Sequence, residues 1–170
     1  MKRILLLIFG AAALLLAGCA QYVVVGPNWQ ALYNAPEGGA ARVSISTEKE
    51  RLTVGEKMSF TVESDKSGKV WLITVGPDDV RRLVFPNRYA TDNSIEKHKA
   101  VQLPGELESW SLKASEPLGN NLVVAIVTGR DAQEEDIRDL LRGPDFSKSL
   151  AIEREPLKYG LAKTIITVAR

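Results

Sequence analysis

The sequence predicts an all-β domain: an Ig-like antiparallel β-sandwich of roughly seven or eight short strands, with one helix inserted before the last strand. Three observations carry this reading. Short segments of alternating apolar and polar residues recur between turn signals at a spacing of roughly 8 to 14 residues. One continuous apolar run, Leu122 to Val127, has the pattern of a strand buried on both faces. A single late stretch, 131–142, switches from a period of two to helical spacing.

Taken in order, Arg42 to Ser46 alternates with Val43 and Ile45 on one face, and Met58, Phe60 and Val62 alternate against Ser59, Thr61 and Glu63. Asp65-Lys66-Ser67-Gly68 then reads as a hairpin turn into Val70 to Val75, a segment apolar on both faces and therefore central. Gly76-Pro77-Asp78-Asp79 turns the chain into Val80 to Phe85, so two consecutive hairpins predict a meander. A polar stretch from Pro86 to His98 reads as a long loop, Ala100 to Leu103 as a short strand, and Trp110, Leu112 and Ala114 as a further alternating strand. In the late stretch Asp131 is placed to cap a helix with Glu134 at the capping-box position, Ile137, Leu140 and Leu141 share one face, and Gly143-Pro144 stops it. Lys163 to Ala169 closes the fold as the last strand.

Composition limits the function classes. The 170 residues hold 22 Lys and Arg against 21 Asp and Glu, with Cys19 as the one cysteine and His98 as the one histidine. Nucleic-acid binding needs an excess of basic residues on one face, and this chain has none to spare. One cysteine closes no internal disulfide, and one Cys with one His cannot supply the four N/S ligands of a structural zinc site. No metal and no cofactor are therefore expected. Every familiar nucleophilic triad would have to pass through His98.

The apolar residues concentrate at the start, where 13 of the 15 positions from Ile4 to Gly18 are apolar besides the two glycines, directly after Met1-Lys2-Arg3. This is short for a spanning helix, which needs about 20 residues, and it fits the h-region of an export signal. The run ends in Leu16-Ala17-Gly18-Cys19, which resembles the lipobox of bacterial lipoproteins at every position. The resemblance implies a diacylglyceryl group on the Cys19 thiol, cleavage before it, and a covalent lipid anchor. Small residues at 17 and 18 open the backbone to a peptidase, and the thiol is the nucleophile that alkylation requires. Ala20 stands where inner-membrane retention usually shows Asp, so the resemblance implies the outer membrane, periplasmic face. Removal of residues 1–18 takes Lys2 and Arg3 with it and leaves 152 residues with 20 basic against 21 acidic side chains.

The domain organisation that follows is a signal peptide over 1–18, a lipidated N-terminus and tether over 19–41, and the sandwich over 42–170 with a helical insertion at about 131–159. Gly26-Pro27-Asn28 and Ala35-Pro36-Glu37-Gly38-Gly39 mark the tether. Tyr22 to Val25 and Trp29/Tyr33 are apolar for a spacer, so docking on the domain as an edge strand or helical turn stands as the other reading.

Leu52-Thr53-Val54-Gly55-Glu56-Lys57-Met58-Ser59-Phe60, then Ser64 to Leu72 with its Asp65-Lys66-Ser67-Gly68 turn, Phe85-Pro86-Asn87, Leu103-Pro104-Gly105 and Ala114-Ser115-Glu116-Pro117-Leu118-Gly119 occur in that order. Together with Leu122 to Val127 they resemble the bacterial DUF4384 domain over about residues 42–130 plus the last strand. The resemblance implies an envelope context and an interaction role, and it supplies no catalytic residues. Each piece also has a plain structural use; Pro86, for example, ends an edge strand because it lacks an amide hydrogen.

Candidate site residues come from the loop and the late helix. Tyr89 beside Arg88 is the best-placed exposed aromatic, on a loop, where function concentrates. Ile137 and Arg138 represent the helix. Trp71 and Trp110 read as core, His98 as an exposed loop residue, Asp78-Asp79 as turn formers, Glu134-Glu135-Asp136 as a first turn favoured by the helix dipole, and Arg81, Arg82, Lys97 and Lys99 as charges guarding a strand edge. The functional expectation is a non-catalytic protein-interaction module held at the membrane through its lipid and serving an envelope protein partner, for instance in a secretion assembly. A periplasmic lipoprotein that recognises glycan or peptidoglycan fragments is the alternative. Cys19→Ala is expected to abolish processing and to move the protein out of the membrane fraction, checked by fractionation and by the mobility of the precursor on a gel.

Overall fold

The apolar run from Leu122 to Val127 lies inside a ten-residue strand, β11 (Gly119–Thr128), and every one of its side chains is buried. Successive residues point to opposite faces. Val123, Ala125 and Val127 enter one apolar cluster and Leu122, Val124 and Ile126 another, so the strand has a core on each side. The same division holds in the neighbouring strand β6 (Gly68–Val75), where Val70 and Leu72 face the first cluster and Trp71, Ile73 and Val75 the second. The computed structural model from which these observations come describes residues 26–106, 108–142 and 157–170. The signal peptide, Cys19, residues 20–25 and the Gly143-Pro144 stop lie outside the described residues.

The remaining elements are α1 (Pro27–Asn34), β1 (Gly38–Gly39), β2 (Val43–Thr47), β3 (Arg51–Thr53), β4 (Lys57–Met58), β5 (Phe60–Ser64), β7 (Arg81–Phe85), β8 (Ser94–Ile95), β9 (Val101–Leu103), β10 (Leu112–Lys113), α2 (Glu134–Arg142) and β12 (Tyr159–Ala169). The large sheet runs β1-β12-β11-β6-β7, with β3 added to β12 and β8 to β6. Over its first face lie the sheet β2-β5-β9, which contributes Phe60, Val62 and Leu103, and the ribbon β10-β4, which contributes Leu112 and Met58. Over the other face lie the two helices, through Leu32 of α1 and Ile137 of α2. The predicted sandwich is present, with its helix before the last strand, and a layer of helices covers its outer face.

Several expectations are corrected. The meander fails at its first hairpin: β5 pairs with β2 and β9, β6 pairs with β11 and β7, and Asp65–Gly68 carries the chain between layers. The reason is in the side chains. β5 is buried on alternate residues and needs one covered face, whereas β6 is apolar on both and belongs beside β11. Gly68 permits the crossing, because a Cβ there would lie 1.9 Å from the Thr128 carbonyl oxygen. The strand expected over 58–63 breaks at Ser59, which frees Met58 to pair with Leu112. A strand that the sequence does not predict, β3, pairs parallel to β12, so the sheet is not wholly antiparallel. The last strand starts at Tyr159 rather than Lys163. Helix α2 starts at Glu134, and the carboxylate at the capping position is Asp136, which accepts from the Gln133 amide at 2.8 Å; Asp131 does not cap it.

The largest correction concerns residues 26–41, expected as part of the tether. From Pro27 the chain forms α1, Leu32 is fully buried, and Gly38–Gly39 pairs with Leu161 and Gly160. Gly26 and Pro27 are a helix start and Ala35-Pro36 a helix stop. Gly26 has no side chain to cap with, and the cap comes from the β6–β7 turn. The Asp79 carboxylate accepts from the Trp29 amide at 2.8 Å and the Asn28 amide at 3.1 Å, and the Asn28 side chain donates to the Asp79 carbonyl at 2.7 Å. A Cβ on residue 26 would sit 2.1 Å from Asp79 Cγ, so this approach requires glycine. At the other end of the helix Lys163 Nζ donates to the carbonyls of Tyr33 at 2.5 Å and Ala35 at 2.8 Å. An anion at the N-terminus and a cation at the C-terminus both suit the helix dipole. The docked reading of this segment is the one realised.

The register gives the large sheet two distinguishable ends. At one end Gly119 faces Val168 and packs against Pro77, Val54 donates its amide to Ala169, and Gly26 enters beside Asp79. At the other, Thr128 pairs with Lys69 and Tyr159, and Gly68 with Ile95. The first is the near end of the sheet and the second its far end. Replacing Asp79 by Ala is expected to lower stability by about 1 kcal/mol, within the range for a lost helix cap, measured as a reduced urea midpoint with an unchanged slope.

Candidate groove along the edge of the sheet

Strand β7 is an edge of the large sheet, and its register against β6 slips between Leu72 and Ile73, where Val84 is the extra residue. A bulge of this kind turns an edge away from further pairing. Phe85-Pro86 ends the strand, in agreement with the sequence reading. Asn87 then builds a tight turn: its side chain donates to the Val84 carbonyl at 3.0 Å and accepts from the Tyr89 amide at 2.9 Å and the Ala90 amide at 3.2 Å, while Asn87 and Ala90 exchange backbone hydrogen bonds. Arg88 and Tyr89 therefore sit at the tip of a fixed turn. Tyr89 is 59% exposed, the Arg88 guanidinium lies 4.6 Å from its ring centroid, and Arg88 donates to the Tyr89 hydroxyl.

Opposite this turn stands the first half of α2, with Arg138 Nε donating to Glu134 at 2.7 Å across one helical turn. Between them Leu83, Val84, Leu112 and the half-buried Trp110 form an apolar floor, and Trp110 is stacked on buried Phe85 with ring centroids 6.0 Å apart. The Trp110 indole nitrogen is buried and has no hydrogen-bond partner among the described residues. The result is an open groove of about 890 Å³. It lies in the seam between the helical layer and the small-sheet layer, and runs along β7 toward the far end.

Three of the four sequence-derived candidates meet here: Arg88, Tyr89 and Arg138 line the groove. Ile137 does not, and this is a correction. It is completely buried in the cluster under the helices, because the helical turn that aims Arg138 at the groove aims its neighbour at the sheet. Two further groove residues carry other signals in the sequence: Trp110 has the pattern of a core residue and Glu134 that of a first-turn acid. The spacing of Glu134 and Arg138 signals their pairing; nothing in the sequence places either beside Tyr89.

The other charged candidates are distributed rather than assembled. Arg81 donates to the Leu141 carbonyl at 3.2 Å, near the C-terminus of α2. Arg82 pairs with Asp78 at 2.5 Å, and that hydrogen bond is the main cause holding the Asp78 carboxyl below its usual range. Lys99 pairs with Glu96 at 2.5 Å. The basic residues are thus divided among the start of β7, the turn after it and the segment following β8, and form no single patch. His98 is 62% exposed, 4.0 Å from Glu63, and outside the groove. Among the described residues no three of His, Cys, Asp and Glu come together in a way that would hold a metal ion, and no helix is long and apolar enough to cross a membrane.

The class defined by this architecture is a β-sandwich domain carrying an open surface groove. A DUF4384 domain, described as a domain of unknown function, is found at residues 51–131. It spans β3 to just past β11 and includes Arg88, Tyr89 and Trp110, while Glu134 and Arg138 lie beyond it. No curated protein has a significantly similar sequence. Among solved structures, this chain is similar to the crystal structure of Spo0M, a sporulation control protein from Bacillus subtilis, with 17% identity, a TM-score of 0.38, and coverage of 78% of this chain and 50% of that one. The chain thus spans half the length of that protein. Tyr89→Ala is expected to leave stability within about 0.5 kcal/mol of the parent, as for an exposed surface position, whereas Phe85→Ala is expected to cost about 3 to 5 kcal/mol; thermal or urea unfolding distinguishes the two.

Proposed function

We propose that the protein is an exported lipoprotein, acylated at Cys19 and held on the periplasmic face of the outer membrane, whose sandwich is a non-catalytic module binding a segment of an envelope protein partner. The observation that carries the reading is the groove with Arg88, Tyr89, Trp110 and Arg138 around an apolar floor. Tyr, Trp and Arg are the residues that dominate binding energy at protein interfaces, because each covers apolar area while keeping a polar handle. Arg88 stacked on Tyr89 loses little side-chain freedom on binding. The two arginines outnumber the single Glu134 in the lining, so the complementary segment carries apolar side chains and a carboxylate. Nucleic acid does not enter this reading, since the mature side-chain charge is close to balanced.

A photo-crosslinking amino acid in place of Tyr89, in cells, is expected to give a discrete protein adduct that disappears when Arg138→Glu is added. The same group in place of Ser44, exposed on β2 away from the groove, serves as the control. Absence of a protein adduct at 88, 89 and 134 together, with retention on purified peptidoglycan that Tyr89→Ala removes, would overturn this reading in favour of glycan recognition.

A further inference from the structure

We infer that the near end of the sandwich is a membrane-contact surface, seated on phospholipid headgroups through the turns that carry Val54 and Val80, so that the groove opens away from the bilayer. The inference rests on the acylation of Cys19 proposed above.

The docking of α1 sets the geometry. A tether over residues 20–41 would let the domain move freely above the lipid. With Gly26 fixed against Asp79 and α1 fixed by Lys163, only residues 20–25 connect the acylated cysteine to the domain. Seven backbone steps from Cys19 to Gly26 span at most about 24 Å when fully extended, and about 14 Å on average if flexible. The ten residues of β11 extend about 33 Å. The connection is shorter than the sheet it holds, and it enters at one end of that sheet. The far end and the start of α2, together with Arg88 and Tyr89, which follow Phe85 on the far side of β7, are therefore held away.

The chemistry of the near end fits the surface it would meet. Val54 and Val80 are each 47% exposed, and both lie on turns at this end. Val54 is next to Gly55, whose amide donates to the Ala114 carbonyl at 2.8 Å, and so adjoins the β4–β10 ribbon. In that ribbon Lys57 stands directly opposite Lys113, both exposed. Like charges directly opposite on paired strands repel. Headgroup phosphates would relieve the repulsion. Of the carboxylates beside the two valines, Asp78 is paired with Arg82 and Glu56 with Lys49, Asp79 is taken up by the first amides of α1, and exposed Glu116 is outnumbered by the two lysines. Apolar turn tips next to a lysine pair, at the end from which the anchor leaves, describe a surface that rests on anionic phospholipid.

Acylation consumes the one native thiol, so Val80→Cys or Tyr89→Cys in the full-length acylated protein offers a single labelling position. Each would carry a fluorophore in vesicles of phosphatidylethanolamine and phosphatidylglycerol containing headgroup spin-labelled lipid. Quenching is expected to be several-fold stronger at 80 than at 89. Inserting about 20 Gly/Ser residues between Val25 and Gly26 lengthens the tether and is expected to reduce the difference. Lys57→Glu with Lys113→Glu is expected to weaken quenching at 80 while flotation with the vesicles persists. Flotation with equal quenching at the two positions overturns the orientation alone. Failure of the protein with Cys19 intact to acquire lipid and float overturns the lipoprotein reading, and this inference with it.

Discussion

Two adjacent strands that are apolar on both faces decide the architecture. β6 and β11 place side chains alternately above and below the sheet, and each large aliphatic one among them is worth about 1.5 to 3 kcal/mol when taken out of water. A two-layer sandwich would cover one face and leave Trp71, Ile73, Val75, Leu122, Val124 and Ile126 in solvent. The molecule therefore needs a third layer, and it takes one from the segments flanking the family domain: α1 from before it and α2 from after it. Strands with only one apolar face, β5 foremost, are left to the small outer sheet.

The third layer explains features that have no local cause. Neither helix is long enough to be stable in isolation, and α1 is held by long-range partners at both ends, Asp79 on the β6–β7 turn and Lys163 on β12. Asp79 thereby joins the start of the helix to a turn of the sheet. The groove has the same origin. β7 ends the large sheet at a bulged edge, and the space beside that edge is lined by Arg138 from the helical layer and by Trp110.

Legibility varied with how local the signal was. The turns at Gly76–Asp79 and Phe85–Asn87, the edge character of β7, the burial of Leu122 to Val127 and the late helix were all readable, because each depends on periodicity or on the backbone preferences of Gly, Pro and Asn. Arg88 and Tyr89 were readable as loop residues. The docking of residues 26–41 was open, because Gly and Pro punctuate a capped helix and a spacer alike. The burial of Ile137 is not legible, because helical spacing shows that a residue lies on an apolar face and does not show whether that face is covered. Trp110 was read as core from its alternation, yet it sits in the wall of a groove, a distinction that depends on what the opposite layer leaves uncovered.

By itself the sequence determined the class of fold, the balanced charge, the residue type at each tight turn and the single thiol at Cys19. These follow from backbone sterics, side-chain period and composition, and they need no partner in space. Tertiary structure alone decided which strands share a sheet, that α1 is part of the domain, and that Arg88 and Tyr89 face Glu134 and Arg138 across one groove. Those outcomes depend on satisfying both faces of β6 and β11 at once, a condition on the whole chain that no window of neighbouring residues contains.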